Sequence, residues 1–525
     1  MKHFFGSIRI FYLIVAVMLV SCQSSRLPAI QSPSPNPGRT VIIDITATFT
    51  PTTAYTVTPT PLMLTDTWTP TLVSTSTRTS TSIITPQPIT STIVSTQLSK
   101  TGPWLVIGSD GIPGVTAFNI DGSGEASLDN PTQLTWYNND INTSAIQGGQ
   151  WLALRGVKDP VNLKGVYLDL VHLPDDQVIQ VSRMDSDWPY PNTPIISGAN
   201  NAISNGKILW SPDGKYIAFS AALNGSQFAD LYLAKTAQPG LIRLTTKTYN
   251  AYPLAWTPDS RQIIYAEIGT CGGNGCNVDS VWMASPGKQD QKLYDARSNH
   301  FITFVGFMST DQIIFYGGDG GAPKNLRSVN LSTGQSEQFY SGHLLGAALD
   351  PGKKKVFFNA LSISDSDSLG NGLYEISQLG RQPKLIKAGT WNQIIWLPQI
   401  NQFRVGGTVH DGSLLVAPDG KATEFDQENW WTSTPEVSPD GKIIAFCGSQ
   451  SMKETPGLRL YDLSGKLLQT ITQEPVEEVS WRPDSQGLFY LSNGNLYYLN
   501  GLNGTPMAIA SISSYGLNSG YAWIK

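Results

Sequence analysis

A short pattern recurs along this chain and constrains its fold more tightly than any other feature. Trp210-Ser211-Pro212-Asp213-Gly214-Lys215-Tyr216-Ile217-Ala218-Phe219 is repeated as Trp256-Thr257-Pro258-Asp259-Ser260-Arg261-Gln262-Ile263-Ile264-Tyr265, and again from Val437 to Phe446 and from Trp481 to Tyr490. Weaker copies stand at Ile146-Gln147-Gly148-Gly149, Phe307-Met308-Ser309-Thr310-Asp311, Leu349-Asp350-Pro351-Gly352 and Trp396-Leu397-Pro398. Aligned on the proline, the anchors are Gln147, Pro212, Pro258, Ser309, Pro351, Pro398, Pro439 and Pro483. The repeat is therefore about 45 residues, the length of a β-propeller blade.

One copy reads as four strands. An apolar strand ends at Trp210, and Pro212-Asp213-Gly214 turns the chain, proline fixing φ and glycine accepting a positive φ. Tyr216 to Ser220, Asp230 to Leu233 and Leu241 to Leu244 follow as strands with alternation suited to a sheet packed on neighbours. A lone blade cannot cover both its faces, so blades stack, and closing the ring removes exposed edges. Trp104 to Ile107 and Val115 to Ile120 look like the second and third strands of a blade lacking its first, which Tyr521 to Ile524 resembles. The predicted fold is thus all-β: a propeller of four-stranded antiparallel blades, eight or nine in number, with the two chain ends sharing one blade.

The Trp-Ser-Pro-Asp-Gly-Lys…Ile-Ala-Phe pattern resembles the WD40-like Pro-Asp repeats of TolB-type propellers, which also occur in the propeller domains of prolyl-oligopeptidase-type peptidases. The resemblance covers nearly everything after residue 100. It implies the fold and only loosely a function, because propellers serve as scaffolds, lectin-like binders and enzymes.

Ahead of the repeats the chain has a different composition. Met1-Lys2-His3 and Arg9 precede an apolar run from Ile10 to Val20, about half the length of a membrane-spanning helix, as in a signal peptide. Leu19-Val20-Ser21-Cys22 follows and resembles the bacterial lipoprotein cleavage box, which implies diacylation of Cys22 as the first residue of the mature protein. Two or three acyl chains would hold the protein stably at a membrane, where one alone binds marginally. From Gln23 to Lys100, Thr, Ser and Pro dominate with little charge, so the segment cannot bury a core and reads as a disordered linker. As a coil it would reach roughly 50 Å. The expected organisation is a lipoprotein signal peptide over 1–21, the lipidated cysteine and linker over 22–100, and the propeller over 101–525. The chain would then sit in the cell envelope, on the outer face of a membrane and outside the cytoplasm.

Charge narrows the partners. Only 14% of residues are charged, against about 25% in an ordinary protein, and the net charge is −5. No basic field is left to hold phosphate backbones, which argues against nucleic acid. There is no Gly-x-Ser-x-Gly elbow, and the chain shows no hydrolase unit beyond the propeller, in contrast to the peptidase members. His3, His172, His300, His343 and His410 are not at metal-ligand spacing. In Asp365-Ser366-Asp367-Ser368-Leu369-Gly370-Asn371, leucine stands where a calcium loop needs its third ligand. No catalytic residue, metal or cofactor is expected.

The remaining cysteines and the loops suggest a working surface. Cys271 and Cys276 flank a Gly-rich spacer that lets their sulfurs meet, and an exported protein lives where disulfides persist, so a loop-pinning disulfide is expected. Cys447 ends an apolar strand and reads as a buried thiol. Loops between second and third strands are long at Glu267 to Asp279, Gly317 to Lys324, Ser362 to Asn371 and Gly448 to Gly457, and they leave on the same face as the connections between blades. Two such connections, the first from Arg183 to about Asn201, carry Asp185, Asp187, Trp188 and Tyr190, and Trp430 and Trp431. Binding concentrates on loops held by a rigid scaffold, and exposed aromatics supply large contact area. Trp188, Tyr190, Trp430 and Trp431 are the expected contacts; the alternative for any of these rings is that it caps the apolar end of a blade. The functional expectation is a monomeric, non-enzymatic binding or scaffold module for a protein, peptide or glycan of the envelope. The alternative is a propeller enzyme, peptidase-related or glycan-active, with carboxylates or histidines at the channel mouth.

Overall fold

The computed structural model describes residues 97–524 apart from connecting segments, the longest of which are 142–148, 186–193, 425–435, 449–455 and 512–519. The signal peptide, Cys22 and most of the linker lie outside the described residues.

The described strands form nine four-stranded antiparallel sheets, each one blade. Blade one combines the last strand with the first three: Gly520–Ile524 pairs with Trp104–Gly108, which pairs with Val115–Asn119, which pairs with Glu125–Leu128. Its register sets Trp104 against Ile524 and Leu105 against Trp523, all four residues lying in the apolar interior of the ring. The chain ends share this blade, as the sequence predicts. The remaining blades follow in order, with Pro212, Pro258, Pro351, Pro398, Pro439 and Pro483 falling between the inner strand and the second strand and Ser309 ending the inner strand of blade five. The anchor Gln147 itself lies outside the described residues, but the strands around it, Thr135–Trp136 and Trp151–Asp159, pair as blade two requires. The count settles at nine.

The repeated residues have structural duties. Ser211 Oγ donates to Asp213 Oδ1 at 2.7 Å and accepts from the amide of Tyr216 at 3.0 Å, which closes the Pro-Asp turn. Thr257 and Ser438 do the same in blades four and eight. The repeat tryptophan ties blades together: Trp256 Nε1 donates to the Leu209 carbonyl of blade three at 3.0 Å, and Trp481 Nε1 to the Glu436 carbonyl of blade eight at 2.9 Å. Apolar side chains fill the wedge between neighbours. Leu458, Leu460 and Ile471 of blade eight meet Trp481, Leu488 and Tyr490 of blade nine, and Phe489, Leu496 and Tyr498 of blade nine meet Leu105, Ile107 and Phe118 of blade one. Each such side chain, fully buried, contributes about 1.5–3 kcal/mol. Cys447 is buried within the wedge between blades eight and nine, in agreement with its reading as a core thiol.

The Pro-Asp turns all lie on one face of the ring, here the lower. The upper face carries the connections between blades and those between second and third strands. Two features of the upper face differ from the sequence reading. Residues Glu267 to Asp279, expected as a loop, continue the strands Ile263–Gly272 and Gly275–Ala284 as a long hairpin. The connection between blades two and three, expected as a loop to about Asn201, contains the helix Pro194–Asn205.

Candidate functional site

The helix begins on Pro194, whose fixed φ and missing N–H suit a first turn, and ends just before Gly206. Its small residues permit close packing. Ala199, Ala202 and Ile203 are buried against Ala221 and Ala222 of blade three and Ala266, Ile268 and Val278 of blade four. The last four carbonyls of a helix have no partner within it. Here the propeller supplies partners: the Arg155 guanidinium of blade two donates to the carbonyls of Ser204 and Gly206, and Tyr252 Oη of blade four donates to the Asn205 carbonyl at 2.8 Å. A cation at this end also suits the helix dipole.

Beside the helix stands the long hairpin, with strands of 10 residues against 6 in the second strand of blade three. Ile268 and Val278 press its base onto the helix. Nearer the tip the backbone register sets Cys271 opposite Cys276 and Gly272 opposite Gly275. The upper face of blades two to four is therefore a raised platform of one helix and one hairpin.

A second set of residues lies on the inner strands of blades eight and nine and the second strand of blade seven. Glu436 begins the inner strand Glu436–Val437 of blade eight, and Glu478 begins the inner strand Glu478–Trp481 of blade nine. Burial pushes the Glu436 carboxyl up to about 7 against the opposing pull of the Arg404 guanidinium. Burial, then repulsion from Glu436, pushes Glu478 up to about 7 as well. Arg404, on the second strand of blade seven, is buried, which lowers its pKa to about 10 although Glu436 and then Cys447 act to raise it. Its Nη2 donates to Gln393 Oε1 at 2.6 Å, while Nη1 is buried with no hydrogen-bond partner. Two carboxyls raised towards neutrality and a half-satisfied guanidinium make a pattern that functional sites share with structural ion networks.

The residues expected from sequence fall as follows. Trp188 and Tyr190 lie in segment 186–193 and Trp430 and Trp431 in segment 425–435, outside the described residues, as does Cys22. Asp185, next to that first pair, is buried and holds the start of a strand by accepting from the amides of Gly165 at 2.7 Å and Val166 at 3.1 Å, with Arg183 Nε at 2.8 Å. It is a clasp within blade two. His172 contacts Asp175 at 2.5 Å and its ring lies 4.6 Å from that of Trp151, which accounts for it structurally. Among the described residues no group of three or more His, Cys, Asp or Glu side chains is placed to hold a metal ion. No described helix is long and apolar enough to cross a membrane.

No protein-family model matches the chain, and a search of curated proteins finds no match. Among solved structures the chain is similar to a eukaryotic initiation factor, with a TM-score of 0.52 and 12% identity over 80% of this chain and 98% of that one. It is similar at a TM-score of 0.38 and 12% identity to an oligogalacturonate lyase from Vibrio parahaemolyticus, over 77% of this chain and 96% of that one. Against TolB from Acinetobacter baumannii the TM-score is 0.30 and the identity 12%, over 70% of this chain and 81% of that one. The first likeness is one of fold; the other two carry no further conclusion. The chain is a nine-bladed β-propeller.

Proposed function

We propose that this propeller is a lipid-tethered binding module outside the cytoplasm, non-enzymatic, whose upper face engages a protein, peptide or glycan of the cell envelope. The observation that carries this reading is the platform of the helix Pro194–Asn205 and the hairpin Ile263–Ala284, built onto one face of an otherwise regular ring. The connections bearing Trp188, Tyr190, Trp430 and Trp431 join an outer strand to the next inner strand and so start from this same face. A cross-strand disulfide between Cys271 and Cys276 would pin the hairpin, and the register supports it. The Leu19-Val20-Ser21-Cys22 box supports anchorage through Cys22.

The test pairs two measurements. Mass spectrometry of the mature amino terminus should show a lipid-modified cysteine; an unmodified terminus elsewhere in the chain would reject the anchor. Mature protein presented to envelope proteins, peptides and glycans should retain a partner that is lost when Trp188 and Tyr190 are replaced by Ala with melting unchanged. A partner retained by that variant would place binding elsewhere.

A further inference from the structure

We infer that the apolar cleft where blade nine meets blade one on the lower face is a docking site for this chain's own linker, occupied by the uncharged segment Ile83-Ile84-Thr85-Pro86-Gln87-Pro88-Ile89-Thr90. The cleft has a volume of about 380 Å³ and is lined by Gly102, Pro103, Ile120, Pro483 and Asp484. Its place in the ring explains its origin. In blades three and eight the amide of the repeat aspartate donates to a serine in the turn of the next blade, Asp213 to Ser260 Oγ at 3.0 Å and Asp440 to Ser485 Oγ at 2.9 Å. In blade nine the matching amide is that of Asp484, and the next turn would fall between Gly520–Ile524 and Trp104–Gly108, where the two chain ends stand instead. Among the described residues none accepts from the Asp484 amide. The closure of the ring therefore leaves an apolar gap with a backbone donor at its rim.

The chemistry of the gap selects its occupant. The Asp484 carboxylate is already held, Oδ1 by Arg482 Nε at 3.0 Å and Oδ2 by Arg482 Nη2 at 2.5 Å, so the rim offers no free negative charge. Two proline rings, an isoleucine and an N–H remain, a surface that suits an uncharged chain with apolar side chains and hydroxyl or carbonyl acceptors. Proline-rich segments are pre-ordered in an extended helix with open carbonyls, so they dock at low entropic cost. The linker supplies such a chain. Between Arg78 and Lys100 it carries no charged residue, and Pro86 and Pro88, the last prolines before Pro103, are flanked by Ile84 and Ile89. Thr85 and Thr90 carry the hydroxyl that Ser260 and Ser485 supply elsewhere. The linker also reaches the ring beside the cleft: the Ser99 N–H donates to Oδ1 of Asn119, the neighbour of Ile120, at 2.8 Å, and the Ser99 carbonyl accepts from Trp104 Nε1 at 3.1 Å. Thr90 stands twelve residues before Gly102, a span of up to roughly 40 Å when extended, which is enough for the chain to turn back to the cleft. Docking would staple the closing seam of the ring and shorten the free tether. The segment itself lies outside the described residues. Neither the lipid anchor nor the upper-face partner enters into this docking.

Amide exchange of the full mature chain tests it, read by mass spectrometry with intrinsic rates corrected. The peptide covering Ile83–Thr90 should exchange about tenfold more slowly than the linker peptide Thr52–Leu62, and Ile120→Asp should erase the difference. Pro86→Gly/Pro88→Gly/Ile89→Ser, which alters no residue of the ring, should in turn quicken exchange of the Asp484 amide by about tenfold. Equal exchange of the two linker peptides, protection that survives Ile120→Asp, or an Asp484 amide indifferent to the linker variant overturns the docking. Protection that rises with protein concentration while the chain sediments as a dimer overturns it too, because the occupant is then the linker of a second copy. Should Ile120→Asp not fold, the linker variant decides, since its changes lie outside the ring.

Discussion

Ser260 Oγ accepts the backbone N–H of Asp213 at 3.0 Å, across a blade boundary and 47 residues along the chain. Ser485 and Asp440 repeat the arrangement at 2.9 Å, 45 residues apart. Both serines have positive φ, 62° and 61°, at the turn position where Gly214 and Gly441 stand in the partner blades. Serine disfavours that conformation, so its presence is explained by the hydroxyl: the turn of one blade is latched to the turn of the blade before it.

Replacing Ser260 separates the two effects. Ser260→Ala keeps the backbone cost and loses the bond, so it should destabilise by about 0.5–1.5 kcal/mol. Ser260→Gly loses the bond but relieves the backbone and should cost less than the alanine variant. Denaturant melts of both proteins check this: without the inter-blade bond Ser260→Ala would be near neutral and Ser260→Gly stabilising.

Stability should peak in mild acid. The carboxyls of Asp213, Asp259, Asp311 and Asp462 are held below the ordinary range, chiefly by hydrogen bonds from Ser211, Thr257, Ser332 and Ser464. A lowered folded value gives stability that is present above the unfolded value and lost as pH falls through the folded one. Glu436 and Glu478 act oppositely: raised from 4.5 to about 7, they stabilise fully below their unfolded values and lose that contribution as pH climbs towards about 7. Either group alone would contribute on the order of 3 kcal/mol at most. Thermal melts from pH 3 to pH 9 should show a maximum near pH 4–5, and Glu478→Gln should flatten the alkaline side.

Arg155 anchors the helix. Arg155→Met keeps much of the side-chain volume but strips the carbonyls of Ser204 and Gly206 of their donor, at a cost of about 1.5–3 kcal/mol. Amide exchange should quicken over Pro194–Asn205 first. Arg155→Lys, with the charge but not the fork, should fall between.

Removal of the strand Gly520–Ile524 should cost far more than its length suggests. It leaves Trp104–Gly108 as an unpaired inner edge and uncovers the wedge where Trp523 packs against Phe489, their ring centroids 5.7 Å apart. The truncated chain should aggregate or melt well below the intact one, whereas removal of Lys525 alone should be neutral.

The ring was legible because each repeat residue acts locally: Pro212 and Gly214 shape a turn, Ser211 closes it, and Tyr216 to Phe219 alternate as a buried strand. The shared blade was legible because Tyr521 to Ile524 has the character of an inner strand without its sequel. The helix Pro194–Asn205 was not read, although Pro194 and Gly206 frame it, because its Ala, Ser, Gly and Asn residues make a weak apolar stripe. Its order comes from Arg155, Tyr252 and the hairpin, which are distant in sequence. The hairpin was taken for a loop since Gly272, Gly273 and Gly275 carry little strand preference, and the helix on which its base residues Ile268 and Val278 pack is distant in sequence. Glu436 and Glu478 sit at different offsets from their anchors, so only the curvature of the ring shows that they are neighbours.

Hydrogen-exchange footprinting of the mature protein with its captured partner tests the binding account most directly. The account predicts protection of the helix Pro194–Asn205, the hairpin Ile263–Ala284 and the connections that start from their face, with the Pro-Asp turns unchanged. Protection concentrated on the turns around Asp213, Asp259, Asp440 and Asp484 would contradict it and place the working surface on the opposite face of the ring.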